Sequence, residues 1–229
     1  MANELGKKVA AEAAAQLIRN NQIVGLGTGS TAELFVAALA ARAVNEKLQL
    51  TTVTTSQVTA ALADRLGLTV VDIDAVNHID ITVDGADEVD ARLDGIKGGG
   101  GALLMEKIVA VNSSDYVWVV DNAKVVAQLG KFPLPVEVVP YGAGLLFQKF
   151  ESLGYVPSWR LTADGSKFIT DQKHFIIDLH LEKISEPEVL ARKLSKMVGV
   201  VEQGLFLNLA QTVIVGFADG HIDIKKRAQ

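Results

Sequence analysis

Two periods of apolar residues alternate along this chain. From Glu4 to Arg19 alanines and other apolar residues recur at helical spacing, and Asn20-Asn21 ends the segment. Ile23 to Gly27 is a short apolar run, which predicts a buried strand, and roughly Thr31 to Val44 returns to the helical period. Leu48 to Thr55 is β-branched and predicts a strand. A helix over Ser56 to Leu66 closed by Gly67, then strands over Leu68 to Ile73 and Ile79 to Val83, follow. A helix opens after the glycine run at 98–101 and ends near Asn112, and Tyr116 to Val120 is a further strand. Strands alternating with helices predict βαβ units. The fold class is α/β: a Rossmann-like, mostly parallel sheet with helices on both faces, plus a smaller α+β domain.

That second part begins where the character changes, at Lys131-Phe132-Pro133-Leu134-Pro135. Two prolines two apart mark a junction. Beyond it come a strand over Val136 to Val139 and a helix over Gly142 to Leu153. Asp164-Gly165 is a hairpin signal between Trp159–Leu161 and Lys167–Thr170. A strand over Phe175 to Leu181 precedes a helix over Pro187 to Met197 with proline at its start. Strands over Val200 to Leu207 and Thr212 to Phe217 follow, and Asp219-Gly220 turns the chain into Ile222 to Ile224. The expected division is 1–130 with 206–229 as the α/β domain and 131–205 as the smaller domain.

Composition narrows the function. The chain has 229 residues, 49% hydrophobic and 21% charged, a globular balance. A net charge of −5 without a basic block argues against nucleic acid. The absence of cysteine excludes disulfides, a cysteine nucleophile and thiolate metal sites. No 18 consecutive residues are apolar, so no membrane span is expected. Met1 to Ala15 lacks the apolar core of a signal peptide, and the expectation is a soluble, cytoplasmic protein.

Three stretches carry candidate chemistry. Lys97-Gly98-Gly99-Gly100-Gly101 runs into the helix formers Ala102 to Met105, with Glu106 about one turn in. Four ordered glycines are entropically costly and suit a backbone that passes close to something, although a flexible linker has the same composition. Such a loop and helix start can bind an anion. Gly25-Leu26-Gly27-Thr28-Gly29-Ser30-Thr31 also follows a strand and opens a helix. It lacks the lysine of a Walker loop, and no acidic residue ends the second strand as a dinucleotide site requires. A phosphate monoester fits, held by N–H groups with Thr28, Ser30 and Thr31; Ser30-x-x-Glu33 also reads as a capping box. Asp84-Gly85-Ala86-Asp87-Glu88 sets carboxylates at a strand's carboxyl end, where they are ligand groups or a capped polar turn. A metal there is disfavoured because no histidine lies in the motif. His78, His174, His180 and His221 form no motif with one another. Lys124 follows a strand and falls on the same sheet edge. The inventory is backbone donors, hydroxyls, lysines and carboxylates, without a nucleophile or a cofactor motif. It suits proton transfer beside a carbonyl on a small phosphorylated substrate.

Ile23–Thr31, Val83–Glu88, Ile96–Leu103 with Glu106-Lys107, and Leu129–Val138 together resemble ribose-5-phosphate isomerase of the A type, as does Gly204-Leu205-Phe206. The resemblance spans essentially the whole chain. It implies interconversion of ribose 5-phosphate and ribulose 5-phosphate in the pentose phosphate pathway through an enediolate. It implies no metal or organic cofactor, and a homodimer or dimer of dimers. On it, Glu106 resembles the general base, Asp84 and Asp87 the acids that contact sugar hydroxyls and assist ring opening, and Lys97 the cation beside the enediolate. Lys7, Thr28, Gly29, Ser30, Thr31 and Lys124 resemble substrate and phosphate contacts, as do Gly85, Ala86, Gly98, Gly99 and Gly100. Thr54-Thr55-Ser56-Gln57 departs from the serine-rich, aspartate-bearing turn frequent in the family, which leaves its role open. The alternative is a non-catalytic sugar-phosphate-sensing domain; such a regulator should carry a basic DNA-binding helix pair, and none is apparent.

Overall fold

The computed structural model describes residues 4–227; Met1 to Asn3 and residues 228–229 of the expected C-terminal segment lie outside the described residues. The chain runs α1 (Glu4–Ala15), β1 (Ile23–Leu26), α2 (Ser30–Glu46), β2 (Thr51–Thr54), α3 (Gln57–Arg65), β3 (Ile79–Asp84), β4 (Glu88–Val89) and β5 (Gly95–Ile96). Then come α4 (Leu103–Val111), β6 (Ser113–Asp121), β7 (Leu134–Val138), α5 (Ala143–Ser152), β8 (Val156–Trp159) and β9 (Phe175–His180). It closes with α6 (Pro187–Ser195), β10 (Val200–Gln203), β11 (Leu205–Phe206), β12 (Thr212–Gly216) and β13 (Ile222–Lys226).

The main sheet has the order β13-β12-β6-β3-β1-β2, parallel except for the edge strand β13. This is the expected mostly parallel α/β architecture. Strand β6 shows why both faces are covered. Val117 and Val119 point into a core shared with Ala10 and Ala14 of α1 and Phe35 and Leu39 of α2. Tyr116, Trp118 and Val120 point the other way, into a core with Ala110 of α4, Phe206 and Val213. Period-2 alternation with both sets apolar is the pattern of a central parallel strand. A second sheet, β10-β7-β9-β8, draws its strands from 134–203 and packs its own core against α5 and α6. A three-stranded sheet, β11-β5-β4, sits between the two.

Several expectations shift. The first helix ends at Ala15 rather than Arg19. Leu68 to Ile73 is not a strand: Val70 makes a single bridge to Thr52, and Asp72 then caps a turn of 3₁₀ helix with its side chain on the Asp74 N–H at 2.9 Å. A short polar side chain that bonds its own backbone ends extended pairing. Val200 to Leu207 is split at Gly204, so that β10 joins the second sheet and β11 the three-stranded one. The hairpin around Asp164-Gly165 reduces to one bridge, Leu161 with Lys167. Among the described residues no helix is long and apolar enough to cross a membrane.

Candidate active site

The sheet order puts β2 on one side of β1 and β3, β6 and β12 on the other, so a crevice opens at the carboxyl ends of β1 and β3. The strands approach closely there. A Cβ on Gly27 would come within 2.5 Å of the Asp84 Cα, so only glycine fits. The resulting cleft has a volume of about 190 Å³. Thr28, Gly29, Ser30 and Thr31 line one wall, and Gly85, Ala86 and Asp87 another. Lys97, Gly98, Gly99, Gly100 and Glu106 form a third side, and Lys7 and Lys124 complete the rim. Asp121 also lines the cleft and was not among the expected residues. Its signal was present, a carboxylate ending a parallel strand as Asp84 does.

Asp84 alone of the expected residues does not line the cleft. It is fully buried behind Lys97. Its Oδ1 accepts from the N–H groups of Thr28 (3.1 Å) and Gly85 (2.7 Å), and its Oδ2 from the Tyr116 hydroxyl at 3.0 Å. Lys97 Nζ donates to Gly85 O at 2.5 Å and lies 3.0 Å from Asp84 Oδ2 and 3.2 Å from Glu106 Oε1. Its three donors are therefore all engaged. Glu106 has no comparable support: Oε1 meets Lys97, and Oε2 is buried without a partner.

Two carboxylates and one ammonium in a buried cluster leave one excess negative charge. That charge is expelled from the weakest site. Burial pushes the Glu106 carboxyl up from 4.5 to about 8; Lys97 opposes the rise and the Asp84 charge adds to it. Burial works to lower Lys97, but Asp84 and Glu106 outweigh it and hold the ammonium above its ordinary value. Burial, then the charges of Asp84 and Glu106, push the Tyr116 phenol well above its ordinary value, which keeps it a donor to Asp84. A raised carboxyl in a cleft beside a fixed cation is an arrangement for moving protons.

Asp87 accepts from the Gly99 N–H at 2.8 Å and faces the cleft. Lys7 Nζ reaches Ser30 Oγ at 3.1 Å. The capping box does not form: α2 is capped by Gly29 without a side-chain bond, which leaves Ser30 to face Lys7. The Thr54–Gln57 turn acquires a role. Thr55, Ser56 and Thr59 gather their hydroxyls around Thr28 Oγ1 at 2.7, 2.9 and 3.2 Å and so pin the β1–α2 loop. Glu88 turns away from the cleft and accepts the N–H groups of Gly130 and Phe132, both at 2.7 Å, so it anchors the junction. None of the four histidines lines the cleft.

The chain was compared with known proteins. The family model for ribose 5-phosphate isomerase A (phosphoriboisomerase A) matches residues 51–220. Ribose-5-phosphate isomerase A of Bifidobacterium longum is 56% identical over 214 residues, covering 93% of this chain and 92% of the relative. That of Lactococcus lactis is 53% identical, covering 93% of this chain and 96% of the relative. A solved D-ribose-5-phosphate isomerase in complex with phospho-erythronic acid is 34% identical with a TM-score of 0.94, over 99% of this chain and 100% of that one. Ribose 5-phosphate isomerase A of Methanocaldococcus jannaschii is 36% identical with a TM-score of 0.91, over 96% and 97% of the two chains.

Proposed function

The chain belongs to the ribose 5-phosphate isomerase A family, and we propose that within it Glu106 is the general base that carries a proton between C1 and C2 of the sugar. The protein is an aldose–ketose isomerase that interconverts D-ribose 5-phosphate and D-ribulose 5-phosphate, a step of the non-oxidative pentose phosphate pathway. The observation that carries the assignment of the base is the unpartnered Glu106 Oε2 beside an ammonium that is itself locked in place.

In this reading the ionised Glu106 removes the C2 proton of the open-chain aldose. The electron pair moves onto O1, and Lys97 stabilises the negative charge of the enediolate. Glu106 then returns the proton to C1, while the O2 proton is passed to O1, which gives the C1 hydroxyl and the C2 carbonyl of the ketose. Asp87 serves the oxygen protons, because it is the Asp84–Glu88 carboxylate that opens to the cleft. Asp84 acts through Lys97, which it holds at 3.0 Å. Lys7, Ser30, Thr31 and Lys124 take the phosphate, where the first amides of α2 add their dipole. Lys97 gives one of its three bonds to the substrate, and Glu106 is the partner it releases: their contact at 3.2 Å is exchanged for contacts with the developing charge.

The enzyme works in the cytoplasm as a homodimer or a dimer of dimers on this reading, and a monomer in sedimentation at micromolar concentration would refute that assembly. Turnover of ribose 5-phosphate in a coupled assay, with and without chelator, tests the chemistry. Equal turnover in both is expected. Loss of activity with chelator would return Asp84 and Asp87 to a metal-binding role.

A further inference from the structure

We propose that Arg160 is a positioning residue for the isomerisation: it fixes the glycine loop from the side of the second sheet so that the Gly100 N–H is presented to the reacting end of the sugar. The inference rests on the isomerase reading above. Arg160 follows β8, and its Nη1 donates to the carbonyl oxygens of Gly98 (2.5 Å) and Gly99 (3.1 Å). The other edge of its guanidinium is planted on Asp178 of β9, through Nε to Oδ2 at 3.0 Å and Nη2 to Oδ1. Its backbone is tied as well, by N–H to Ile176 O at 3.0 Å and by its carbonyl to the Phe168 N–H at 2.9 Å.

Successive glycines have little conformational preference of their own, so the order of this loop must be imposed from outside. Two neighbouring carbonyls converge on one guanidinium nitrogen. In a trans peptide the N–H points opposite the C=O. The peptide carrying the Gly98 carbonyl therefore turns its N–H, that of Gly99, away from Arg160, and it donates to Asp87 at 2.8 Å. The next peptide has its carbonyl on Arg160 too. Its N–H, that of Gly100, donates to no protein acceptor among the described residues, and Gly100 lines the cleft. In the chain this amide lies between Lys97 and Glu106, whose side chains meet at 3.2 Å. It is thus a free donor on the lining of the cleft, in the loop that links Lys97 to Glu106. A preorganised amide at that place stabilises charge that develops on a sugar oxygen.

Arg160→Lys keeps the charge and the stem but cannot span two carbonyls and a bidentate carboxylate with one nitrogen. The expected result is a melting temperature close to the parent's and a kcat lowered about ten- to hundredfold, with KM changed by less than about twofold. Inhibition by phospho-erythronic acid, whose planar, charged carboxylate resembles an enediolate, should weaken with kcat, whereas inhibition by inorganic phosphate should not change. Asp178→Asn, which loosens the fork without touching the loop, should give the same pattern to a smaller degree. Unchanged kcat in Arg160→Lys, or a KM rise with kcat intact, overturns the inference. A parent protein without isomerase activity overturns the isomerase reading and the inference with it; full turnover by Arg160→Lys overturns the inference alone.

Discussion

Replacing Glu106 by glutamine should slow the enzyme and flatten the pH dependence of its stability. The glutamine keeps the size of the side chain and can accept from Lys97 in place of Oε1, but it cannot take a proton from carbon. Loss of a general base costs about 10²- to 10⁴-fold in kcat. The stability effect follows from the proton balance. Glu106 sits at about 8 in the folded chain and near 4.5 when exposed. Between those values the folded state binds the extra proton and the unfolded state does not. For an acid raised in this way, stability is highest below the unfolded value and falls as pH rises through the window. At about 1.36 kcal/mol per unit, the displacement from 4.5 to about 8 sets an upper limit of about 5 kcal/mol. Lys97 and Asp84 rearrange in response, so a fall on the order of 1–2 kcal/mol is expected. Glutamine does not titrate. The stability difference between Glu106→Gln and the parent should therefore grow in the variant's favour from pH 4.5 to 8 and then level. Any constant cost of burying the amide drops out of that slope. Urea denaturation at a series of pH values, together with ribose 5-phosphate kinetics, measures both effects. A near-normal kcat refutes the assignment of the base. Parallel stability curves refute the account of the raised carboxyl.

Three further outcomes are expected. kcat/KM of the parent should climb with pH toward a plateau above about 8, because the base is active only when ionised; a profile flat from pH 6 to 9 contradicts this. Asp84→Asn removes a charge that raises Glu106, so the ascending limb should move to lower pH while kcat falls; an unmoved limb with raised KM would mean that Asp84 binds the sugar directly. Lys124→Ala should raise KM about ten- to hundredfold, the value of a charge-assisted hydrogen bond, with a smaller effect on kcat; the reverse split would move Lys124 to the chemistry.

The sequence alone determined the α/β class, the strand ends that hold Thr28–Thr31 and Asp84–Asp87, and the pairing of Lys97 with a helix that carries Glu106. These are local: each motif lies within a dozen residues, and its turn and helix-start chemistry follows from neighbours in the chain. The tertiary structure decided what depends on contacts across the sheet. Asp84 and Asp87 are three apart in sequence, yet one is sealed under Tyr116 and Lys97 while the other faces the cleft. Glu88, next to them, serves the junction at Gly130 and Phe132 instead. The Thr54–Gln57 turn gained a role only when Thr55 and Ser56 met Thr28 from the adjacent strand. Arg160 has no motif at all; it reaches Gly98 from 62 residues away. The same holds for proton affinity. Composition shows that carboxylates and lysines are present, but which of them keeps the extra proton depends on how many donors each receives and how much water is excluded. Only the folded arrangement, which gives Asp84 four partners and Glu106 one, sets that.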